Sequence, residues 1–496
     1  MKNSDLFSPQ RQSIAAIILI LLKFVRMLVR QLWPVVLVLL FNPKGNFEVW
    51  IGFVIGILAM ISLTGSVIEY FRFYYWIAND HLIIERGFLR RIKLNIPFDR
   101  IQSIDFEQNI VHQAFGVVRV KIDSAGSSQQ EASFDALEKR QAEQLRDYIL
   151  AQKAELVGKD VSEEERKEKE ARELILHLRP IDLLKIGVSQ NHLRTAGIIF
   201  AFFFAIAEDV NDALKNADIF GRIGDEVETL ARGSFMLALI AIPVFLLISF
   251  FVSLVRTVFV YYNMRFWKTV NGFKLESGLL TRREKSAQKD KIQLIGWSTN
   301  PLRKLFGIFK LSLYQASSVE VLGDKSIAVP GCYQSHVDRT VASVISEAPG
   351  AVYEEHGIHP SARFRFILFA GILPCVVLSI VGLVLERQLA FAVWLYLPIA
   401  IWMGHVYYRK KRLFLHPDLA MLKGGVIGDE YKMLQLYKIQ AVSVNQSFYQ
   451  WRRDLATVSM YTASGEVSIP FIPIRKAEQI RDYILFRIEK DNKSWM

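Results

Sequence analysis

Cysteine is almost missing from this chain, with Cys332 and Cys375 the only two among 496 residues. Cys375 lies inside an apolar run, and one pair could not frame a chain of this length, so a disulfide scaffold is excluded. Catalytic signatures are missing as well. The sequence has no Gly-x-Ser-x-Gly elbow, Walker loop, His-Glu-x-x-His or paired Cys-x-x-Cys, which argues against an enzyme and calls for no cofactor. Charge is the third absence, and it is local. Residues 49–68, 235–255, 366–385 and 388–408 carry no Asp, Glu, Lys or Arg, and each is near the ~20 residues that a helix needs to cross a bilayer. A wholly soluble globule is excluded.

What remains is segregated. Half the chain is hydrophobic (51%), yet 22% is charged and the net charge is +12. Two less clean runs complete a set of six expected spans. Residues 186–207 are interrupted by Arg194. Near the start, Lys23, Arg26 and Arg30 recur at helical spacing, which fits an amphipathic interfacial helix over 13–30 and a crossing over 27–41. No small-residue cleavage site follows Leu22, so a removed signal peptide is not expected. Paired spans give three helical hairpins. Acidic residues crowd the turn of the second, at Glu208, Asp209 and Asp212, whereas Arg72, Lys185, Arg256, Arg265, Arg363 and Arg409 flank the opposite ends. Basic flanks mark the cytosolic side, which places both termini and all three polar blocks there.

The polar blocks repeat. Ile-Gln occurs at Ile101, Ile292 and Ile439, each time after a cation (Arg100, Lys291, Lys438) and fourteen residues after a glycine (Gly87, Gly278, Gly425). Fixed internal offsets are the mark of duplication. The stretch Ala142-Glu-Gln-Leu-Arg-Asp-Tyr-Ile-Leu returns as Ala477-Glu-Gln-Ile-Arg-Asp-Tyr-Ile-Leu. Phe115-Gly116 matches Phe306-Gly307, and the third copy departs there with Arg453-Asp454. Within each block the apolar period shortens to two, as in Val118, Val120 and Ile122, and each block closes on a helical segment. Short antiparallel strands plus one terminal helix predict a small barrel or sandwich. The expected plan is a first hairpin over 1–68 and a first domain over 69–155. A charged linker over 156–185 and a second hairpin over 186–257 follow. A second domain over 258–352, a third hairpin over 353–408 and a third domain over 409–496 complete it.

On these residues the sequence resembles the bacterial membrane proteins with repeated PH-like domains (bacterial PH type 2), especially their YdbT-like members. The resemblance implies a multi-pass α-helical membrane protein bearing three PH-like domains, each a bent antiparallel barrel with a C-terminal helix, α+β overall. It also implies a smaller companion membrane protein with a single unit of the same kind. It carries over no activity, because a fold does not by itself define a ligand.

The remaining candidates are cations. Arg282, Arg283, Lys285, Lys289 and Lys291 cluster in the second block, and Arg90, Arg91, Lys93 and Arg100 hold the matching places in the first. Lys432 and Lys438 represent them in the third, beside Asp429 and Glu430. A lysine or arginine held near an anionic leaflet contributes ~1 kcal/mol, so these residues are candidates for facing lipid headgroups or a partner; an ordinary solvated strand edge is the plain alternative. His356 and His359 beside Glu354 and Glu355 have a metal-like spacing, but Pro360 follows at once and no metal site is expected. Nucleic acid is not expected as a partner, for want of an arginine-rich helix or a stacking platform. The expected function is a scaffold presenting PH-like domains to a partner membrane protein or anionic lipid, in envelope stress or export. The alternative is a peptide or lipid transporter, with Pro243, Pro374 and Pro398 bending helices around a path.

Overall fold

The computed structural model describes residues 7–22, 24–26, scattered positions from 54 to 70, and 71–87, 91–124, 132–156, 172–190, 192, 195–198, 234–316, 326–345, 354–385, 391 and 393–490. Alternating burial makes the polar blocks strands. The first block has β1 (Tyr74–Ala78), β2 (His81–Arg86), β3 (Ile92–Pro97), β4 (Ile101–Gln108), β5 (Val117–Ser124) and β6 (Ala132–Glu138). The second has β7 (Glu173–His177), β8 (Arg265–Thr269), β9 (Gly272–Ser277), β10 (Arg282–Gln288), β11 (Ile292–Thr299), β12 (Phe309–Gln315) and β13 (Ser326–Cys332). The third has β14 (Glu354–Gly357), β15 (Arg412–Leu415), β16 (Leu419–Gly424), β17 (Asp429–Gln435), β18 (Ile439–Asn445), β19 (Leu455–Thr462) and β20 (Gly465–Pro473).

The repeated residues have structural causes. Gly87, Gly278 and Gly425 take φ of 127°, 111° and 99° between the second and third strands of the three meanders, a conformation that side chains resist. Each cation of the cation-Ile-Gln motif ends a single 3-10 turn: Phe98–Arg100, Lys289–Lys291 or Leu436–Lys438. Each Ile-Gln pair then opens a strand at a β-bulge, where the register shifts between Ile101 and Ser103, Ile292 and Leu294, and Ile439 and Ala441. A bulge bends the strand and strengthens its twist, which is how the chain turns from one half-sheet to the next. Gly116 and Gly307 sit at φ 65° and 67°, and Asp454 takes the same place at φ 51°. The third copy therefore keeps the turn with a residue that tolerates this conformation.

Each domain closes with a helix on its half-sheet, Lys139–Leu156, Gln334–Val344 or Ile474–Lys490. The duplicated nine-residue stretch buries Ala142, Leu145 and Ile149 in one domain and Ala477, Ile480 and Ile484 in another, the i, i+3, i+7 stripe of a core-facing helix. Tyr75, Phe98 and Phe134 fill the first core, and Phe73 and Tyr75 meet Phe134 edge-on at 5.6 and 5.1 Å.

The six-span helical plan is corrected. The described chain is mostly β-sheet with accompanying helices, and among the described residues only Pro243–Tyr261 and Ser361–Ile380 are long and apolar enough to cross a membrane. A charge-free run does not guarantee one continuous helix. In the run 388–408, a 3-10 turn at Val393–Tyr396 precedes the 14-residue helix Leu397–Lys410, which at 1.5 Å per residue falls short of a ~30 Å core. Pro374 lacks the N–H that a regular helix needs, and a π-type turn over Leu368–Ile372 precedes it. The stretches 27–50 and 201–233, which hold the expected first crossing and the second hairpin's turn, lie outside the described residues. Helix Ser361–Ile367 and its continuation pack on Leu397–Lys410 through small residues. A Cβ on Gly371 would lie 2.7 Å from that of Ala400, and one on Gly404 2.9 Å from Ile367.

Strand β7 lies inside the stretch read as a charged linker, and β14 precedes the third apolar segment. Each pairs with the strand that returns after its apolar segment, β7 with β8 and β14 with β15. In the first domain Gln10 makes the comparable contact, exchanging both backbone hydrogen bonds with Tyr75 at 2.9 Å.

Candidate functional site

The domains are joined through their sheets. One seven-stranded sheet runs β6-β5-β4-β10-β9-β8-β7, and a second runs β13-β12-β11-β17-β16-β15-β14. The bulged strand that follows the 3-10 turn in one domain thus pairs antiparallel with the strand that precedes that turn in the next: β4 with β10, and β11 with β17. The register is the same at both junctions. Arg282 and Asp429 each lie four residues after the meander glycine, and Gln108 and Thr299 each lie seven after the Ile of Ile-Gln. Arg282 faces Gln108, and Asp429 faces Thr299.

This junction consumes much of the expected basic patch. Arg283 Nε lies 3.7 Å from Glu107, which also holds Lys121 at 2.9 Å. Burial raises the Glu107 carboxyl, but Lys121, Arg283 and Arg119 outweigh it and hold the group below its ordinary value. Asp105 accepts a hydrogen bond from the Ser286 amide at 3.3 Å. Burial pushes its carboxyl up to about 7, against the pull of that amide and of Lys285. Arg282 is exposed at the end of the ladder, and Lys289 opens the 3-10 turn that Lys291 closes. Burial pushes the Lys291 ammonium down. In the first domain, Arg91 and Arg100 are exposed, Lys93 pairs with Glu85 at 3.6 Å over the Trp76 ring, and Arg90 lies outside the described residues.

Lys438 is placed differently from its expected surface role. It is 2% exposed, and its Nζ donates to the carbonyls of Asp290 and Ile292 at 2.9 and 2.6 Å. Burial pushes its ammonium down to about 8. It pins the third domain to the second. At the same junction Trp297 stacks on Tyr431 with centroids 5.2 Å apart, and Asp429 meets Lys410 at 2.7 Å and Lys304 at 3.5 Å. Lys432 reaches Glu430 at 3.2 Å. Leu419 and Met433 of the third domain belong to the second domain's core. His356 lies in β14, and His359 bonds Ser361 Oγ at 2.8 Å at a helix start, so the two histidines do not share a helical face.

Two further contacts span the first junction. Arg146, on the closing helix, lies over Phe106 and reaches Glu284 of β10 at 2.6 Å. Gln113, on the helical turn Ile110–Ala114, donates to the Leu280 carbonyl at 3.1 Å. Its counterpart twelve residues after Ile292 is Lys304, which reaches Asp429 across the second junction. The sequence signal for the Arg283 and Ser286 contacts is present in Asp105 and Glu107, the carboxylates following the first Ile-Gln; it becomes legible only once strands from different domains are known to adjoin.

The model of the bacterial PH domain matches this sequence three times, over residues 15–153, 214–347 and 367–487. The chain belongs to the bacterial PH domain family. It is also similar to the transmembrane protein YdbT of Bacillus subtilis (strain 168), with 22% identity over 441 residues covering 87% of this chain and 88% of the relative. Each family match takes in one strand-bulge-helix unit together with the apolar segment before it, and the transmembrane relative agrees with the two candidate spans in indicating a membrane-associated protein.

Proposed function

We propose that this family member is a non-catalytic membrane scaffold whose PH-like domains lie at the cytosolic face and bind a partner membrane protein by strand addition. One observation carries the reading: the same two strand edges join in the same register at both internal junctions. A binding mode used twice within a chain is a natural mode for a further unit, since main-chain pairing supplies affinity without special chemistry. The companion protein implied by the family resemblance would offer such a unit. Basic residues at the domain-side ends of the apolar helices, Arg256 and Arg265 after one, Arg363 and Arg365 at the start of the next and Arg409 at the end of Leu397–Lys410, support a cytosolic placement of the domains.

Headgroup recognition is the weaker reading, because Arg283 and Lys438 are occupied by Glu107 and by backbone carbonyls. Transport is weaker still. The described cleft beside the third apolar segment is lined by Ala370, Pro374, Cys375, Leu378, Val393 and Tyr396, which offer no charged side chain for a polar path.

The test removes residues 409–490 and leaves the apolar segments in place. With a tagged single-unit PH-like membrane protein co-expressed, the full chain is expected to retain it through purification and the shortened chain to lose it. Equal retention by both, or substrate flux through vesicles containing the full chain alone, would refute the scaffold reading.

A further inference from the structure

The internal junctions use β4 and β10, and β11 and β17, which leaves the corresponding edges at the two ends of the array. Among the described residues, β3 and β18 each pair on one side only. The two ends differ in how they are protected. Natural edge strands are commonly blunted with lysine or proline, and β3 carries Lys93 and ends at Pro97. Strand β18 reads Ile-Gln-Ala-Val-Ser-Val-Asn, with no charge and no proline. Its paired counterpart β11 buries Gln293 and Leu294, whereas Gln440 and Ala441 at the same places are exposed.

Two more junction parts recur in the third domain and, among the described residues, have no interdomain partner. Arg146 and Arg481 hold the same place in the duplicated stretch Ala-Glu-Gln-x-Arg-Asp-Tyr. Both bond the neighbouring aspartate, Asp147 or Asp482, but only Arg146 also reaches a carboxylate of another domain, Glu284. Trp451 stands twelve residues after Ile439, as Gln113 does after Ile101 and Lys304 after Ile292. Both counterparts touch the next domain; Trp451 is 63% exposed, and Phe448 beside it is 74% exposed.

Resting on the scaffold reading, we propose that β18, Arg481 and Trp451 form a docking site for the edge strand of a separate polypeptide. That strand pairs antiparallel in the junction register, with a carboxylate side chain at the position facing Val444. The register fixes the position: Glu284 faces Phe106, five residues after Ile101, and Val444 lies five residues after Ile439. A second copy of this chain is the wrong occupant. Its free β3 would bring Lys93, six residues after Gly87 as Glu284 is after Gly278, to the place beside Arg481. Like charges there disfavour the pairing, so the two ends of one array reject each other and the chain avoids head-to-tail filaments.

The test uses the full chain in detergent and cyclised hairpin peptides as probes, with amide hydrogen exchange as the readout. A peptide of residues 272–288, which carries Glu284, is expected to slow exchange in 439–445 at least ~tenfold at saturation. Its Glu284→Lys form, and a peptide of residues 81–97 carrying Lys93, are expected to bind about fivefold more weakly. Arg481→Glu in the full chain reverses that preference. Val444→Pro abolishes protection while exchange in 292–299 and 429–435 stays unchanged, which shows that the variant folds. Trp451→Ala weakens binding of every peptide. No protection of β18 by 272–288, equal binding of the lysine peptides, or concentration-dependent self-association that Val444→Pro removes would each overturn the proposal. If β18 is unprotected while removal of 409–490 still releases the single-unit partner, this site falls and the scaffold reading stands.

Discussion

Gly428 offers the sharpest test of the strand junctions. It lies just before β17, and a Cβ added to it would stand 1.8 Å from the Thr299 carbonyl oxygen, 2.8 Å from that carbonyl's carbon and 3.0 Å from Asn300 Cα. All three are backbone atoms, so no side chain can swing aside. Ordinary contact begins near 3.4 Å, and Gly428→Ala must therefore move β17 away from β11 by more than an ångström at this end. That displacement breaks the Thr299–Asp429 end of the ladder and disturbs the bond from Lys410 Nζ to the Gly428 carbonyl at 2.9 Å. Two or three hydrogen bonds at ~1 kcal/mol each put the loss at about 2–3 kcal/mol, or roughly 30- to 150-fold faster opening. Amide exchange in 292–299 and 429–435 reads it directly. Gly465→Ala is the control: φ is +130° but nothing lies within 4 Å of the added Cβ, so exchange should rise in the β19–β20 hairpin alone. Unchanged exchange at the β11–β17 junction in Gly428→Ala would refute the strand-pairing account of how the second and third domains join.

Other outcomes follow from the same contacts. In a double-mutant cycle, Arg146→Ala and Glu284→Ala should show a coupling of ~1 kcal/mol in exchange across β4 and β10, because the pair is only partly shielded from solvent; additive effects would exclude the pair as a junction contact. Asp105, with its carboxyl raised by burial to about 7, binds a proton more readily folded than unfolded. The first junction should therefore lose stability as pH rises from about 4 to about 7, and Asp105→Asn should flatten that slope in exchange measured across pH. Lys438 has the opposite sign. Its ammonium is lowered to about 8 from 10.5, so the unfolded state holds more protons in between and the second junction should tighten over that window, an effect absent in Lys438→Met. Leu145→Ala, in the first closing helix, should cost about 2–5 kcal/mol in denaturant melts of the first domain, as buried leucines do.

The repeat was legible in the sequence because its markers are backbone requirements. Gly87, Gly278 and Gly425 answer a positive φ, and each Ile-Gln announces a bulge. Such residues are fixed by local geometry, so their spacing survives whatever packs around them. The helical stripe Ala142, Leu145, Ile149 was legible for a similar reason, since period alone assigns its face. The membrane plan was less legible. Lack of charge over 388–408 says that a segment avoids water, but the 3-10 turn at Val393–Tyr396 depends on packing that composition does not encode. The cations misled in an instructive way. Arg283 and Lys438 look alike as sequence, yet one lies along a partly exposed ladder and the other is buried on two carbonyls. What separates them is the neighbour brought in from another domain.

That point bears on what an array of this kind can bind. Within the described residues, the charges on β10 answer Asp105 and Glu107, and Lys438 answers the backbone of the preceding domain. Each domain is thus complementary to its neighbour in side chains as well as in strand register. An edge with the shared register but no answered charge would then discriminate among PH-like partners through one or two side chains, with the ladder supplying affinity common to all. Arg481 holds the place of Arg146 and Lys93 the place of Glu284, so two cations would face each other where the first junction pairs opposite charges. Exchanging Lys93 for glutamate should consequently turn a discrete array into one that associates end to end, with sedimentation reporting larger species as concentration rises. A Lys93→Glu chain that stays as dispersed as the parent would show that register and charge do not suffice to join two copies.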